Sequence, residues 1–220
     1  MRAVTDDRNH LTHYREPRQA RSAATLARML QAAEELASEV GLEELTIAGV
    51  AERAGMSVGS IYRRFEGKEQ LISALTARML DRREEYVAKQ LRAAEPSLSG
   101  VLHAYAHSLL RSFAEGGNLF TKLLRTRAGG AVDRGARTIS EIHRFLIDAA
   151  MPYVDQIRRP DPEAALDTAA RALLGACFHN SLRPDRFTSE AALQRYADEL
   201  RDMALAYLLT PEPGRSSESP

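Results

Sequence analysis

The residue types that could do chemistry are concentrated between Thr46 and Leu71, in the stretch TIAGVAERAGMSVGSIYRRFEGKEQL. Ser57, Val58, Gly59 and Ser60 would form the first turn of a short helix, where free backbone N–H groups favour an anionic oxygen such as that of a phosphate. Small side chains there leave the backbone approachable. Gly59 weakens a helix by about 0.5–1 kcal/mol relative to Ala, so its presence makes sense where a ligand must come close to the backbone. Tyr62 stands between the apolar Ile61 and the pair Arg63-Arg64, so its ring can rest on the protein while its hydroxyl reaches a phosphate. Either arginine could fork onto guanine O6 and N7 in a major groove or pair with phosphate, and Lys68 adds a further phosphate charge. This is the chemistry of double-stranded DNA recognition, and the alternative is a small structural hairpin with a solvated basic face.

Other reactive types are sparse. His103 and His107 have i, i+4 spacing, and Cys177 and His179 lie close together in sequence, but a zinc site needs three or four ligands and no others can be placed. No nucleophile–base motif, phosphate-cradling glycine loop or carboxylate–histidine metal pattern is present. No catalytic residue, metal or cofactor is therefore expected, and the chain is not read as an enzyme. Cys177, in an Ala- and Leu-rich stretch, reads as a small buried hydrophobe.

Thirty basic and thirty acidic side chains give the 220 residues zero formal charge, so nucleic-acid binding does not follow from bulk charge. All but three of the basic residues are arginines, which makes an individual Arg a weak signal. An apolar fraction of 44% suffices for a globular core, and no apolar run approaches the roughly 18–20 residues of a membrane span. The polar first seventeen residues lack the apolar region of a secretory signal, and the single cysteine suits a reducing compartment. A cytoplasmic location is expected. Residues 1–70 hold ten basic and eleven acidic side chains. Their distribution is uneven: Arg15, Arg18, Arg21 and Arg28 precede a cluster of glutamates, and Arg63, Arg64 and Lys68 follow it.

The elements that must position these residues are helices. Apolar residues recur at steps of three and four nearly everywhere, and no β-branched alternating run occurs. Helices are expected over 18–40, 46–54, 57–65, 68–94, 98–115, 119–128, 132–157, 162–181 and 189–209, about nine in all, with no sheet. Thr46, Ser57 and Asp161 are candidate caps, Gly41 and Gly55 candidate stops, and Gly116-Gly117-Asn118, Gly129-Gly130 and Arg183-Pro184-Asp185 candidate breaks. The two short helices around Gly55-Met56 have helix-turn-helix spacing, with Val50, Met56, Ile61 and Phe65 able to meet in a miniature core.

The segment resembles the DNA-binding region of the tetracycline-repressor (TetR) family of bacterial transcription regulators. Thr46, Val50-Ala51, Ala54-Gly55, Ser57, Gly59, Ile61-Tyr62, Phe65, Lys68 and Leu71 stand where that family has Thr, Ile-Ala, Ala-Gly, Ser, Gly, Leu-Tyr, Phe, Lys and Leu. Met56 and Val50 replace the usual Val and Ile and keep an apolar role. The resemblance covers roughly residues 26–75. It implies an all-α, homodimeric repressor that binds a palindromic operator and is released by a small-molecule effector, with an N-terminal three-helix domain and a larger effector-binding and dimerisation domain. An activator of the same family, or a helical module that docks protein in place of DNA, are the alternatives.

The expected organisation is a flexible arm (1–17), a helix-turn-helix domain (18–67), a ligand-binding and dimerisation domain (68–210) and a disordered tail (211–220). DNA contacts are assigned to Arg18, Arg21, Thr46, Ser57, Val58, Gly59, Ser60, Tyr62, Arg63, Arg64 and Lys68, with Arg15, Arg18 and Arg21 as a basic arm. Leu193, Tyr196, Leu200, Met203 and Tyr207 on the last helix are candidates for the dimer interface, facing the small residues of the helix before it. Tyr105, Leu109, Phe113, Phe120, Phe145 and Phe178 are candidates for lining an effector pocket. The effector is expected to be apolar and uncharged or weakly anionic.

Overall fold

The structure is a computed structural model that describes residues 18–125, 131–182 and 189–212, the side chains of 18–20, 115–125 and 131–133 excepted. The expected arm with Arg15, the side chains of Arg18 and Phe120, the Gly129-Gly130 and Arg183-Pro184-Asp185 breaks, and the tail from residue 213 lie outside the described residues. The chain divides into two compact units, Met1–Lys68 and Glu69–Pro220. Among the described residues there are eight α-helices, one 3-10 helix and no strand.

The first unit contains α1 (Arg18–Val40), α2 (Ile47–Arg53) and α3 (Val58–Tyr62). The last two are too short to be stable alone and depend on packing. Met29, Leu30, Ala33 and Ala37 of α1 are buried with Val50 and Ala51 of α2 and Ile61 of α3. Thr46 caps α2 by accepting from the Gly49 N–H at 3.1 Å. Gly41 (φ +88°) ends α1, and Gly55 (φ +62°) makes the turn between α2 and α3, both in the left-handed region that side chains resist. Arg53 reaches back from α2 to pair with Glu39 on α1 at 2.6 Å.

Helix α4 (Lys68–Arg92) begins on the last residue of the first unit and continues through the second. There it is followed by α5 (Leu98–Arg125), α6 (Ala131–Ala150), a 3-10 helix (Met151–Gln156), α7 (Pro162–Ser181) and α8 (Glu190–Leu209). Helix α5 is the centre of this unit and packs against α6, α7 and α8. Asp161 caps α7 by accepting from the Ala164 N–H at 3.0 Å, with Pro162 in the first turn, and Ser189 caps α8. Arg134 on α6 pairs with Glu84 at 2.7 Å and with Asp81, both on α4, and donates to Thr138. No described helix is long and apolar enough to cross a membrane.

Two expected boundaries are corrected. The helices expected over 98–115 and 119–128 are one helix, α5, which runs through Gly116-Gly117. Each glycine costs a helix about 1 kcal/mol relative to Ala, and a helix held by three neighbours tolerates that where an isolated one would break. Conversely, the helix expected over 132–157 stops at Ala150 and tightens into the 3-10 segment, with non-helical dihedrals at Tyr153. Pro152 supplies no N–H to the α-helical ladder, and its ring crowds the preceding turn.

Candidate nucleic-acid interface

Helix α3 anchors itself with one residue and exposes the others. Ile61 is fully buried, whereas Val58 is 41% and Tyr62 55% exposed. Ser57, Gly59, Arg63 and Arg64 are also exposed, and Ser60 is half-buried. A Cβ on Gly59 would meet nothing within 4 Å, and Gly59 has no positive φ, so the fold itself gives no reason for glycine there.

The polar side chains of this face form a chain. Ser57 does not cap α3, contrary to expectation; its hydroxyl turns along the helix to the Ser60 hydroxyl at 2.8 Å. Ser60 also accepts from Arg63 at 2.9 Å. Arg64 leaves the helix and donates to the Ser22 hydroxyl on α1. Between α1 and α3 lies an open groove of about 560 Å³ bordered by Arg21, Arg28, Arg63 and Arg64, with Ser22 and Ser60, and no carboxylate lines it. The structure thus brings Arg21 together with the α3 residues expected beside it.

Two expected contacts have internal partners. Lys68 donates its ammonium to the Glu43 carbonyl at 2.6 Å, which ties the start of α4 to the loop after α1. The Thr46 hydroxyl is engaged in its cap.

In the second unit the expected pocket residues do not form one group. Tyr105, Leu109 and Phe113 lie on the buried face of α5, and Phe178 of α7 packs edge-on to Phe113, with ring centres 6.1 Å apart and 38% of Phe178 exposed. Phe145 lies elsewhere, in an open cleft of about 490 Å³ with Leu91, Val101 and Tyr153, beneath the Arg144 guanidinium. Helical phase separates them, because Phe145 does not share the inward row of Ile142 and Leu146 on α6.

The expected dimer stripe on α8 also divides. Leu193 and Leu200 are buried within the chain, in one inward row with Ala197, Ala204 and Leu208. Met203 is 48% exposed, and Tyr196 and Tyr207 are half-buried, with the Arg159 guanidinium 4.1 Å above the Tyr207 ring. On α7, Ala172 and Gly175 are exposed, and a Cβ on Gly175 would meet nothing within 4 Å.

His103 and His107 stack at 5.9 Å, and each faces its own carboxylate on α8, Asp198 at 3.5 Å and Glu190 at 3.4 Å. Among the described residues no group of three or more metal-binding side chains converges. Cys177 is buried, which pushes its thiol up to about 12 and keeps it protonated and unreactive. Sequence reasoning missed Tyr105 as a polar group and His143 altogether. Both are buried polar side chains, on different helices, and no local motif announces them.

The model for bacterial regulatory proteins of the tetR family matches residues 29–75, which contain α2 and α3. An uncharacterized HTH-type transcriptional regulator of Mycobacterium tuberculosis is 36% identical over 87 residues, or 38% of this chain. The match spans 45% of the relative's length. A TetR-family transcriptional regulator from Streptomyces coelicolor has a similar structure, with a TM-score of 0.55 at 25% identity, covering 84% of this chain and 99% of that one. RolR, solved with resorcinol, shares the fold at a TM-score of 0.53 and 18% identity, over 90% of this chain and all of that one.

Proposed function

We propose that this chain, whose residues 29–75 match the model for bacterial regulatory proteins of the tetR family, is a cytoplasmic, homodimeric repressor that grips a palindromic DNA operator with α3 and releases it when a small molecule occupies the second unit. The observation that carries this reading is the outward face of α3. Val58, Gly59, Tyr62 and Arg63 are exposed, and the chain makes no internal use of the glycine. A backbone bared in this way suits the close approach of a phosphate or a base edge.

Residues divide by what they can reach. Arg63, in line with Ser57 and Ser60 along α3, is the candidate for a base edge. Arg64 and Arg21 border the groove beside α1 and supply phosphate contacts. Lys68 and Thr46 act structurally, holding the starts of α4 and α2. In a dimer the two α3 helices would enter successive major grooves about 34–36 Å apart.

Dimerisation is assigned to the exposed Ala172 and Gly175 of α7 with Met203 of α8. Small residues let helices cross closely, and an exposed mid-helix glycine with open space around it is favourable where another backbone approaches. Ligand response is assigned to the interior of the second unit. There α4 continues directly from the DNA-binding unit, and Arg134 fastens α6 to it. A ligand that binds better to a conformation with lower DNA affinity shifts the population by that difference. The resorcinol complex of RolR is a small-molecule precedent on this fold.

The test is a pair of substitutions, Tyr62→Ala and Arg63→Ala, assayed for DNA binding by fluorescence anisotropy and for mass by light scattering. Loss of selective DNA binding with an intact dimer is expected. Unchanged DNA binding would overturn the assignment.

A further inference from the structure

Helix α3 exposes apolar surface that the fold does not use. Among the described residues of the first unit the exposed large hydrophobics are Val40, Val58 and Tyr62, and the last two stand one turn apart on one face of α3. Ile61 is the buried residue of this helix, whereas Val58 is 41% exposed. A single surface valine needs no explanation, but this one adjoins Gly59, where an added Cβ would meet nothing within 4 Å.

The polar side chains of α3 turn away from this patch. Ser57 bonds along the helix to Ser60 at 2.8 Å, Arg63 bonds to Ser60 at 2.9 Å, and Arg64 reaches Ser22 on α1. Ser60, Arg63 and Arg64 border the groove that holds four arginines and no carboxylate. One short helix thus combines a surface complementary in charge to a polyanion with one apolar point. A DNA major groove matches that combination where thymine places its C5-methyl group.

We propose that Val58 is a specificity-determining residue that packs on the C5-methyl group of a pyrimidine in each half-site, thymine in ordinary DNA. The role rests on α3 entering the major groove, and it names the base feature read there.

The base edges leave a valine one suitable partner. Adenine presents N7 and its N6 amine, guanine presents N7 and O6, and cytosine presents its N4 amine. An isopropyl group laid over any of these strips water from a polar atom and gives nothing back. Thymine adds an apolar group, and covering that methyl with Val58 removes apolar surface of both from water. The preference therefore comes from what thymine buries and from what the other bases would leave unpaired. Shape supports the same choice. Val58 is β-branched, so its two methyl groups form a nearly fixed surface, and Gly59 carries no side chain to hold a base edge away.

Uracil differs from thymine by that one methyl and keeps every hydrogen-bonding group, so it isolates the contact. The full chain first selects its duplex from a random pool, and the thymines of the selected half-site are then replaced by uracil one position at a time, symmetrically in both halves. One position is expected at which uracil lowers affinity about three- to tenfold. In Val58→Ala the thymine and uracil duplexes should bind nearly equally, with salt dependence and unfolding midpoint as in wild type, and Val58→Ile should retain the preference. At the same position 5-methylcytosine should bind more tightly than cytosine in wild type and not in Val58→Ala. No position sensitive to uracil, or undiminished sensitivity in Val58→Ala, would overturn the proposal. Selection of a sequence without any uracil effect removes only the Val58 contact, whereas failure to select any sequence removes the reading of α3 as the DNA-binding helix and the contact with it.

Discussion

Arg63 donates to the hydroxyl of Ser60 at 2.9 Å, one turn back on its own helix, while its neighbour Arg64 crosses to Ser22 on α1. Adjacent arginines of identical chemistry are thereby given different reach. Arg63→Ala should weaken operator binding by about 1–3 kcal/mol and relax specificity at one base position. Arg64→Ala should weaken binding evenly across sequences and lower the salt slope by about one. Anisotropy titrations of matched and mismatched operators at several salt concentrations distinguish these patterns.

Gly59 and Gly55 make opposite predictions although they lie four residues apart. Gly59→Ala places a methyl in open space and should leave the fold unchanged or more stable by about 0.5–1 kcal/mol, with operator affinity reduced. Gly55→Ala forces a side chain into a backbone with φ +62° and should destabilise the chain by about 1–2 kcal/mol. Urea unfolding beside a DNA-binding titration checks both. Equal loss of stability and of binding in Gly59→Ala would mean that the glycine serves the fold.

This contrast marks what the sequence reveals. Thr46, Gly55 and Asp161 act on residues a few positions away, so cap and turn chemistry is legible in the string, and so is the helix-turn-helix built from it. Gly116-Gly117 misleads, because whether a helix survives two glycines depends on neighbours distant in sequence. The apolar stripe of α8 shows that a face is covered and not by what, and Leu193 and Leu200 prove to face inward. Arg63 and Arg64 are indistinguishable until Ser60 and Ser22 are placed. Tyr105 and His143 carry no spacing signal, since the burial of each depends on helices distant in sequence.

The exposed face of α7 and α8 predicts a surface that tolerates substitution in the monomer and not in the dimer. Met203→Glu should change monomer stability by no more than about 0.5 kcal/mol, as surface substitutions generally do. It should shift the oligomer toward monomer at micromolar concentration. Gly175→Leu should do the same by preventing close approach. Sedimentation velocity reads this directly, and a dimer unaffected by both variants would move the interface elsewhere.

Stability should depend on pH above the range where carboxylates titrate. Burial holds His143 and His103 below their ordinary 6.5, against the opposing pull of Asp167 and Asp198. The unfolded chain then takes up protons that the folded chain refuses, so the contribution of these residues is complete above pH 6.5 and falls as pH drops below it toward the lower folded values. The unfolding midpoint should decrease between pH 7.5 and 5.5, and His143→Gln should flatten part of that slope. A midpoint constant across this range would show that both imidazoles protonate freely in the fold.

The central claim, that α3 reads DNA sequence, is tested most directly by selecting bound duplexes from a random pool with the purified chain and sequencing them. Enrichment of a two-fold symmetric sequence is expected, with half-sites about one helical turn or a multiple apart and binding that weakens steeply with salt. Failure to enrich any sequence, or enrichment of the same sequence with equal affinity by Arg63→Ala, would contradict it.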